Sequence, residues 1–322
     1  MNISDKLSEG LSDRHTQAIS AVNIAASSIG SKAFVVGGAV RDVLLRKEIK
    51  DIDMAVECRP QKLLSSLNMK SAQVISTSKF ETVKIEVFGQ VIDLAMTRSE
   101  VYPKPGVLPE VQLSTIEKDL SRRDFTINAL GVHVDAMRWG DLIDHHGGLQ
   151  DLCHRKVRVL HNQSFVDDPT RIFRAARYAT RLSFEMESTT KEALFRDLDG
   201  IGKLSGTRIL NELNLTFGET NSVEILKNLD EWGVFKVIHP QLDIPLEALD
   251  TIENSNPEGV SSYEVGLLAL LYCSNDVIRD EISKRLKFSS SLHSKVYDLG
   301  RIRQLLPGMK NSDIYEKLKG LS

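Results

Sequence analysis

Asp51 and Asp53 stand two residues apart, shortly after the run Gly37-Gly38-Ala39-Val40-Arg41-Asp42. Residues two apart on a strand share a face, so the two carboxylates can hold divalent cations in common. Magnesium takes oxygen ligands, and two or three aspartates together with phosphate oxygens satisfy it. Paired glycines let a backbone approach phosphate oxygens closely, and Arg41 adds positive charge there. The pattern is suited to a magnesium-bound triphosphate. Its chemistry would be phosphoryl or nucleotidyl transfer, in which metal ions clamp the attacking and leaving oxygens and the protein mainly positions. Asp93 is the natural third acid, because it interrupts the apolar run Val91-Ile92-Asp93-Leu94-Ala95-Met96. A carboxylate in such a strand is costly without compensation, so a positive group is expected beside it.

A second constellation is Asp167-Asp168-Pro169-Thr170-Arg171-Ile172-Phe173-Arg174-Ala175-Ala176-Arg177-Tyr178. Proline just inside an acidic cap is a helix start. At about 100° per residue, Asp168, Arg171, Arg174 and Arg177 spread over one side of that helix. Three arginines without an intervening acid repel one another unless an anion joins them, which favours a ligand-binding face over a solvated one. Cytosine and adenine both present an exocyclic amine beside a ring-nitrogen acceptor, and uracil and guanine the reverse. The acceptor Asp168 beside the donor Arg171 therefore fits C and A and mismatches U and G. A third and weaker motif, Arg122-Arg123-Asp124-Phe125-Thr126-Ile127-Asn128-Ala129-Leu130, offers two arginines to triphosphate or ribose.

These residues need a scaffold. A helix is expected over residues 14–28, and strands over 33–36, 52–56, 82–87, 91–96 and 156–160. A short helix over 40–45 opens at the double glycine, and a hairpin turns around Gly89-Gln90. Residues 102–106, with two prolines and a glycine, read as a loop. Ser114-Thr115-Ile116-Glu117 has capping-box form and restarts a helix. From residue 168 the pattern is helical, with apolar spacing of three and four over 209–217, 223–229, 265–272 and 296–306; residues 254–259 read as a linker. The fold class is a mixed α/β head followed by an all-helical remainder.

The chain has 322 residues, enough for more than one folding unit. Its net charge of −3 excludes a chain basic all over, so contact with nucleic acid must come from a local patch. Cys58, Cys153 and Cys273 lack ligand spacing and read as reduced thiols. The first residues lack the features of a signal peptide, and no long apolar run suggests a membrane span. The expectation is a cytoplasmic protein with no membrane association. His145 and His146 read as turn-packing residues, and Trp139 and Trp232 as core or interface anchors.

Together the segments 34–42 with Asp51-Ile52-Asp53, 122–130, 142–152 and 168–178 resemble, in order, the class II tRNA nucleotidyltransferases, that is, the CCA-adding enzyme and bacterial poly(A) polymerase family. A weaker echo spans 204–213. The resemblance implies a polymerase-beta-like nucleotidyltransferase head over residues 1–160. A helical neck that recognises the base would follow over 161–217, and a helical body over 218–322, with the tail abbreviated or missing. It also implies no attached phosphohydrolase domain, since the chain has no His-Asp dipeptide. By the same resemblance Asp51 and Asp53 carry Mg2+ and act in catalysis; Asp93, from its place in the apolar run, is read as the third catalytic acid beside them. Gly38 and Arg41 lie at the triphosphate and Arg123 meets the nucleotide. Asp168 and Arg171 read the base, and Arg174 and Arg177 complete its pocket. The implied activity is template-independent addition of C and A to the tRNA 3′ end from CTP and ATP. CC-adding, A-adding and poly(A)-polymerising activities are the alternatives within the family, and an inactive RNA-binding relative is a remote one.

Overall fold

The computed structural model describes residues 1–49, 51–67, 72–78, 82–101, 103, 109–244 and 261–305. The loop expected at 102–106 (Pro103 apart) and the linker expected at 254–259 lie outside these. The chain divides into two compact units, one running through His161 and the other taken up again from Asn162.

The first unit is built on strands β1 (Ala33–Val36), β2 (Ile52–Val56), β3 (Ala72–Thr77), β4 (Thr82–Val87), β5 (Gln90–Met96), β8 (Gly131–His133) and β9 (Leu142–Ile143). They form one mixed sheet in the order β3-β4-β5-β2-β1-β8-β9. Separate from it, β6 (Arg98–Val101) and β7 (Glu110–Leu113) pair as a hairpin. The run Ala33-Phe34-Val35-Val36 is buried at every position, as expected of a central strand covered on both faces. Helices α1 (Ser4–Gly10), α2 (Asp13–Ser28), α3 (Gly38–Leu44), α4 (Pro60–Leu64), α5 (Ile116–Ser121) and α6 (Gly148–Cys153) complete the unit. Phe34, Val36, Ala55, Ile116, Leu120 and Ile143 form one core cluster, and a fully buried phenylalanine such as Phe34 contributes about 2–3 kcal/mol by leaving water.

The strands expected at 33–36, 52–56 and 82–87 are found at those bounds, while β5 gains Gln90. The strand expected over 156–160 is short, Lys156–Val157. The hairpin between β4 and β5 turns through Phe88 and Gly89, both at positive φ (51° and 76°). That geometry matches the right-handed twist of the strands it joins, and Gly89 adopts it without steric cost. The capping box expected at Ser114 does not form. The cap residue is Thr115, without a side-chain cap bond, because Ser114 continues from β7 and bonds through its backbone to Thr97. Strands β3, β6 and β7 had no sequence signal. Of β3 only Ala72 is buried, and β6 (Arg-Ser-Glu-Val) is short and largely polar. Strand β7 (Glu-Val-Gln-Leu) alternates over only four residues, too few to read as a strand alone.

The second unit is helical: α7 (Ser164–Asp167), α8 (Thr170–Leu182), α9 (Ser188–Asp197), α10 (Gly206–Phe217), α11 (Ser222–Glu231) and α12 (Val234–Ile238), then helices Ser262–Leu271, Asp276–Leu286 and Ser290–Leu305. Helix α8 packs against α10 and α11, and its Ile172, Phe173, Ala175 and Ala176 are buried. It stops where Ser183 turns left-handed. Among the described residues no helix is long and apolar enough to cross a membrane.

Candidate active site

In the first unit Asp53 and Asp93 face each other as register partners on the parallel strands β2 and β5. Asp93 is in turn the register partner of Lys84 on the antiparallel strand β4. Register partners project to one face, so Lys84, Asp93 and Asp53 make a transverse row across three strands. Asp51 is one residue short of the strand that the pair was expected to share: β2 begins at Ile52, and Asp51 is exposed. It remains near enough to act electrostatically on Asp53. The cation expected beside Asp93 is Lys84, with Nζ 3.1 Å from Oδ2.

Burial pushes the Asp53 carboxyl up to about 6; Arg123 opposes this, Asp93 and Asp51 add to it, and Arg41 opposes it more weakly. The hydrogen bond to Asp93 and its charge hold the Lys84 ammonium above its ordinary value. Among the described residues no three of His, Cys, Asp or Glu group closely enough to cage a metal ion alone. A cation between Asp51 and Asp53 would therefore take the rest of its oxygens from a ligand. Mg2+ fits that donor set: it prefers carboxylate and phosphate oxygen, and it would relieve the raised Asp53.

The glycine-arginine run is wrapped around the same carboxylate. A Cβ on Gly38 would lie 3.9 Å from Asp53 Oδ2 and 3.6 Å from Arg41 Nη2. Gly37 sits at φ 67°, and a Cβ there would stand 2.6 Å from Arg123 Nη1. Arg41 is only 5% exposed. It donates to Asp42 at 2.9 and 3.0 Å and to Asn128 Oδ1 at 2.6 Å, and Asn128 donates to Asp124. Arg123 donates to the Asn128 carbonyl and to Asp119 Oδ2, while its Nε is buried without a partner.

Asp119 organises this corner. Its carboxylate is 1% exposed on the side chain and accepts from the Arg98 backbone, from Arg122 and from Arg123. Burial opposes its charge, but Arg123 and Arg122 outweigh burial and hold the carboxyl below its ordinary range. Arg122, the other half of the arginine pair, is engaged by Asp119 and Glu100. Sequence reasoning had marked Arg123 but not Asp119, Asn128 or Lys84. An acid four residues before Arg123, just ahead of the end of α5, was the available signal for Asp119.

The segment 142–152 runs from β9 into α6, with Asp144 capping the helix start. Asp144 accepts from the backbones of His146, Gly148 and Leu149. His146 meets Ser121 and His145 is exposed. Trp139 and Trp232 are both half-buried.

In the second unit the arginine helix is arranged differently from expectation. Asp168 Oδ1 accepts from the Thr170 backbone at 3.0 Å and its hydroxyl at 2.7 Å, capping α8, and from Arg208 Nη2 at 2.8 Å. Arg171 is buried and donates to Ser164 Oγ at 2.6 Å. Arg174 donates to Tyr178 and lies over its ring. Arg177 is 4% exposed and bridges to Glu212 on α10 at 2.7 Å. The repulsion inferred for the three arginines overlooked acids from neighbouring elements: Glu212 neutralises Arg177 across two helices. Arg208 and Glu212, in the weaker 204–213 segment, are the residues that sequence reasoning missed here.

Residues 33–158 match the model of the poly A polymerase head domain, and residues 183–244 the model described as "Probable RNA and SrmB-binding site of polymerase A". An A-adding tRNA nucleotidyltransferase of Geobacter sulfurreducens is 38% identical over 318 residues, covering 90% of this chain and 36% of that protein. The chain thus spans about a third of the length of that relative. A CCA-adding enzyme in its apo form II superposes with a TM-score of 0.86 at 29% identity, over 100% of this chain and 83% of the other. A Thermotoga maritima CCA-adding enzyme complexed with tRNA does so with a TM-score of 0.77 at 27% identity, over 100% and 82%. With the mixed-sheet head, the helical remainder and these matches agreeing, the chain belongs to the family of tRNA nucleotidyltransferases and bacterial poly(A) polymerases.

Proposed function

We propose that this chain adds C and A nucleotides to the 3′ end of tRNA from CTP and ATP without a template. The observation that carries the reading is the row Asp53–Asp93, with the Gly38 backbone beside the same carboxylate and Arg123 acting on it electrostatically. Asp51 and Asp53 would hold Mg2+, which when bound supplies charge to the in-line displacement. The backbone at Gly37 and Gly38 receives the triphosphate, and the fixed charges of Arg41 and Arg123 favour it there. The tRNA 3′-hydroxyl attacks the α-phosphate, the bond to the β-phosphate oxygen breaks, and pyrophosphate leaves. In the helical unit Asp168 and Arg171 select the base, with Arg174 and Arg177 shaping its surroundings. We divide that unit into a neck to residue 217 and a body beyond it. The reaction belongs in the cytoplasm, where tRNA ends are completed.

A second reading, addition of the terminal A alone, draws support from the A-adding relative at 38% identity. Purified chain is incubated with tRNAs ending before, within and after CC, with labelled CTP or ATP, with and without a chelator. CTP and ATP incorporation into the shortest tRNA supports CCA addition. Incorporation of ATP alone, confined to tRNA ending in CC, supports the second reading. No magnesium-dependent incorporation into any of them refutes both.

A further inference from the structure

Lys84 is the element of the carboxylate row that the proposed reaction leaves without a task. It sits directly across from Asp93, which sits directly across from Asp53. Its Nζ lies 3.1 Å from Asp93 Oδ2, and both side chains keep more than a third of their surface in water (39% and 37%). Lys84 is also close enough to feel the charges of Asp51 and Asp53. An ion pair this exposed is weak and exchangeable. A divalent cation, with twice the charge and direct carboxylate coordination, would displace it. The lysine therefore stands where it can neutralise the acids when no cation is bound, and it opposes the cation as it arrives.

We propose that Lys84 is a built-in competitor of the metal ion: a positioning residue that balances Asp51, Asp53 and Asp93 in the unloaded protein and lowers their affinity for a divalent cation. This rests on the reading of Asp51 and Asp53 as the cation's ligands. With a single positive charge facing a doubly charged ion roughly 6 Å away in a mostly aqueous dielectric, removing Lys84 should tighten cation binding about three- to tenfold. The competition also has a functional logic. A site that binds the free cation weakly fills when the triphosphate brings further oxygens with it.

The test is direct titration of the full chain with Mn2+, followed by the electron-paramagnetic signal of free Mn2+, without nucleotide or tRNA. Wild type, Lys84→Gln, Lys84→Arg and Asp53→Asn are compared, and the melting temperature of each is read with and without Mg2+. The expected result is three- to tenfold tighter Mn2+ binding by Lys84→Gln and near-wild-type binding by Lys84→Arg. Lys84→Gln should also show a larger Mg2+-induced rise in melting temperature than wild type. Equal or weaker Mn2+ binding by Lys84→Gln, with wild type binding and Asp53→Asn not, overturns the competition and leaves the metal reading standing. Should none of the four bind Mn2+, or should Asp53→Asn bind as wild type does, the ligand assignment itself fails and the inference with it.

Discussion

Arg123 Nη1 occupies the space that a Cβ on Gly37 would need, at 2.6 Å. The guanidinium is pinned from behind by the buried Asp119, so it cannot readily step aside. The glycine's backbone, also at positive φ, and the arginine are thus one unit. Gly37→Ala should lower stability by about 1–3 kcal/mol from backbone strain alone and displace Arg123 as well. Urea unfolding checks the first effect. Nucleotide incorporation, expected to fall more than stability explains, checks the second; a variant as stable and active as wild type would contradict both.

Asp53→Asn should abolish incorporation and yet stabilise the metal-free fold. The folded protein holds the Asp53 proton more tightly than the unfolded chain, with a pKa near 6 against 3.8. Between those values the native state binds more protons, so wild-type stability falls as pH rises through the window. Two pKa units correspond to roughly 3 kcal/mol, an upper figure for what Asn recovers. Melting temperatures in chelator from pH 4 to 7 should show the variant gaining on wild type as pH increases. A constant gap would be the contrary result.

Arg177→Ala should destabilise the helical unit by about 3–5 kcal/mol, because it strands Glu212 with only 13% of its side chain exposed. Replacing both residues by Met should recover much of that loss. The check is a double-mutant cycle in denaturant. Additive single effects would mean that the bridge contributes little.

Asp168→Ala should relax the choice among CTP, ATP, UTP and GTP more than it slows transfer. Incorporation of each nucleotide under single-turnover conditions measures this. Unchanged selectivity would remove Asp168 from base reading and leave it as the cap of α8 and the partner of Arg208.

The head was legible wherever one local rule decided. Apolar runs fixed β1 and β2, and Gly89 marked the turn that brings Lys84 opposite Asp93. The turn expected at Gly89-Gln90 nevertheless lies one residue earlier, at Phe88-Gly89, with Gln90 already paired to Val87. What sequence could not supply was partnership across long separations. Glu212 lies far along the chain from Arg177, and Asn128 from Arg41, so an arginine stripe read as a ligand surface becomes in part an internal ion pair. Edge and hairpin strands were missed for a related reason: Gln73 and Val74 of β3 are exposed, and only their pairing with β4 makes them a strand.

Arg41, moored at three points to Asp42 and Asn128, is not placed to reach out and grasp an incoming anion. It acts at a distance, as part of a standing potential whose cost was met when the chain folded. Charge developing beside Asp53 during a reaction would meet dipoles already turned toward it, with little rearrangement left to perform.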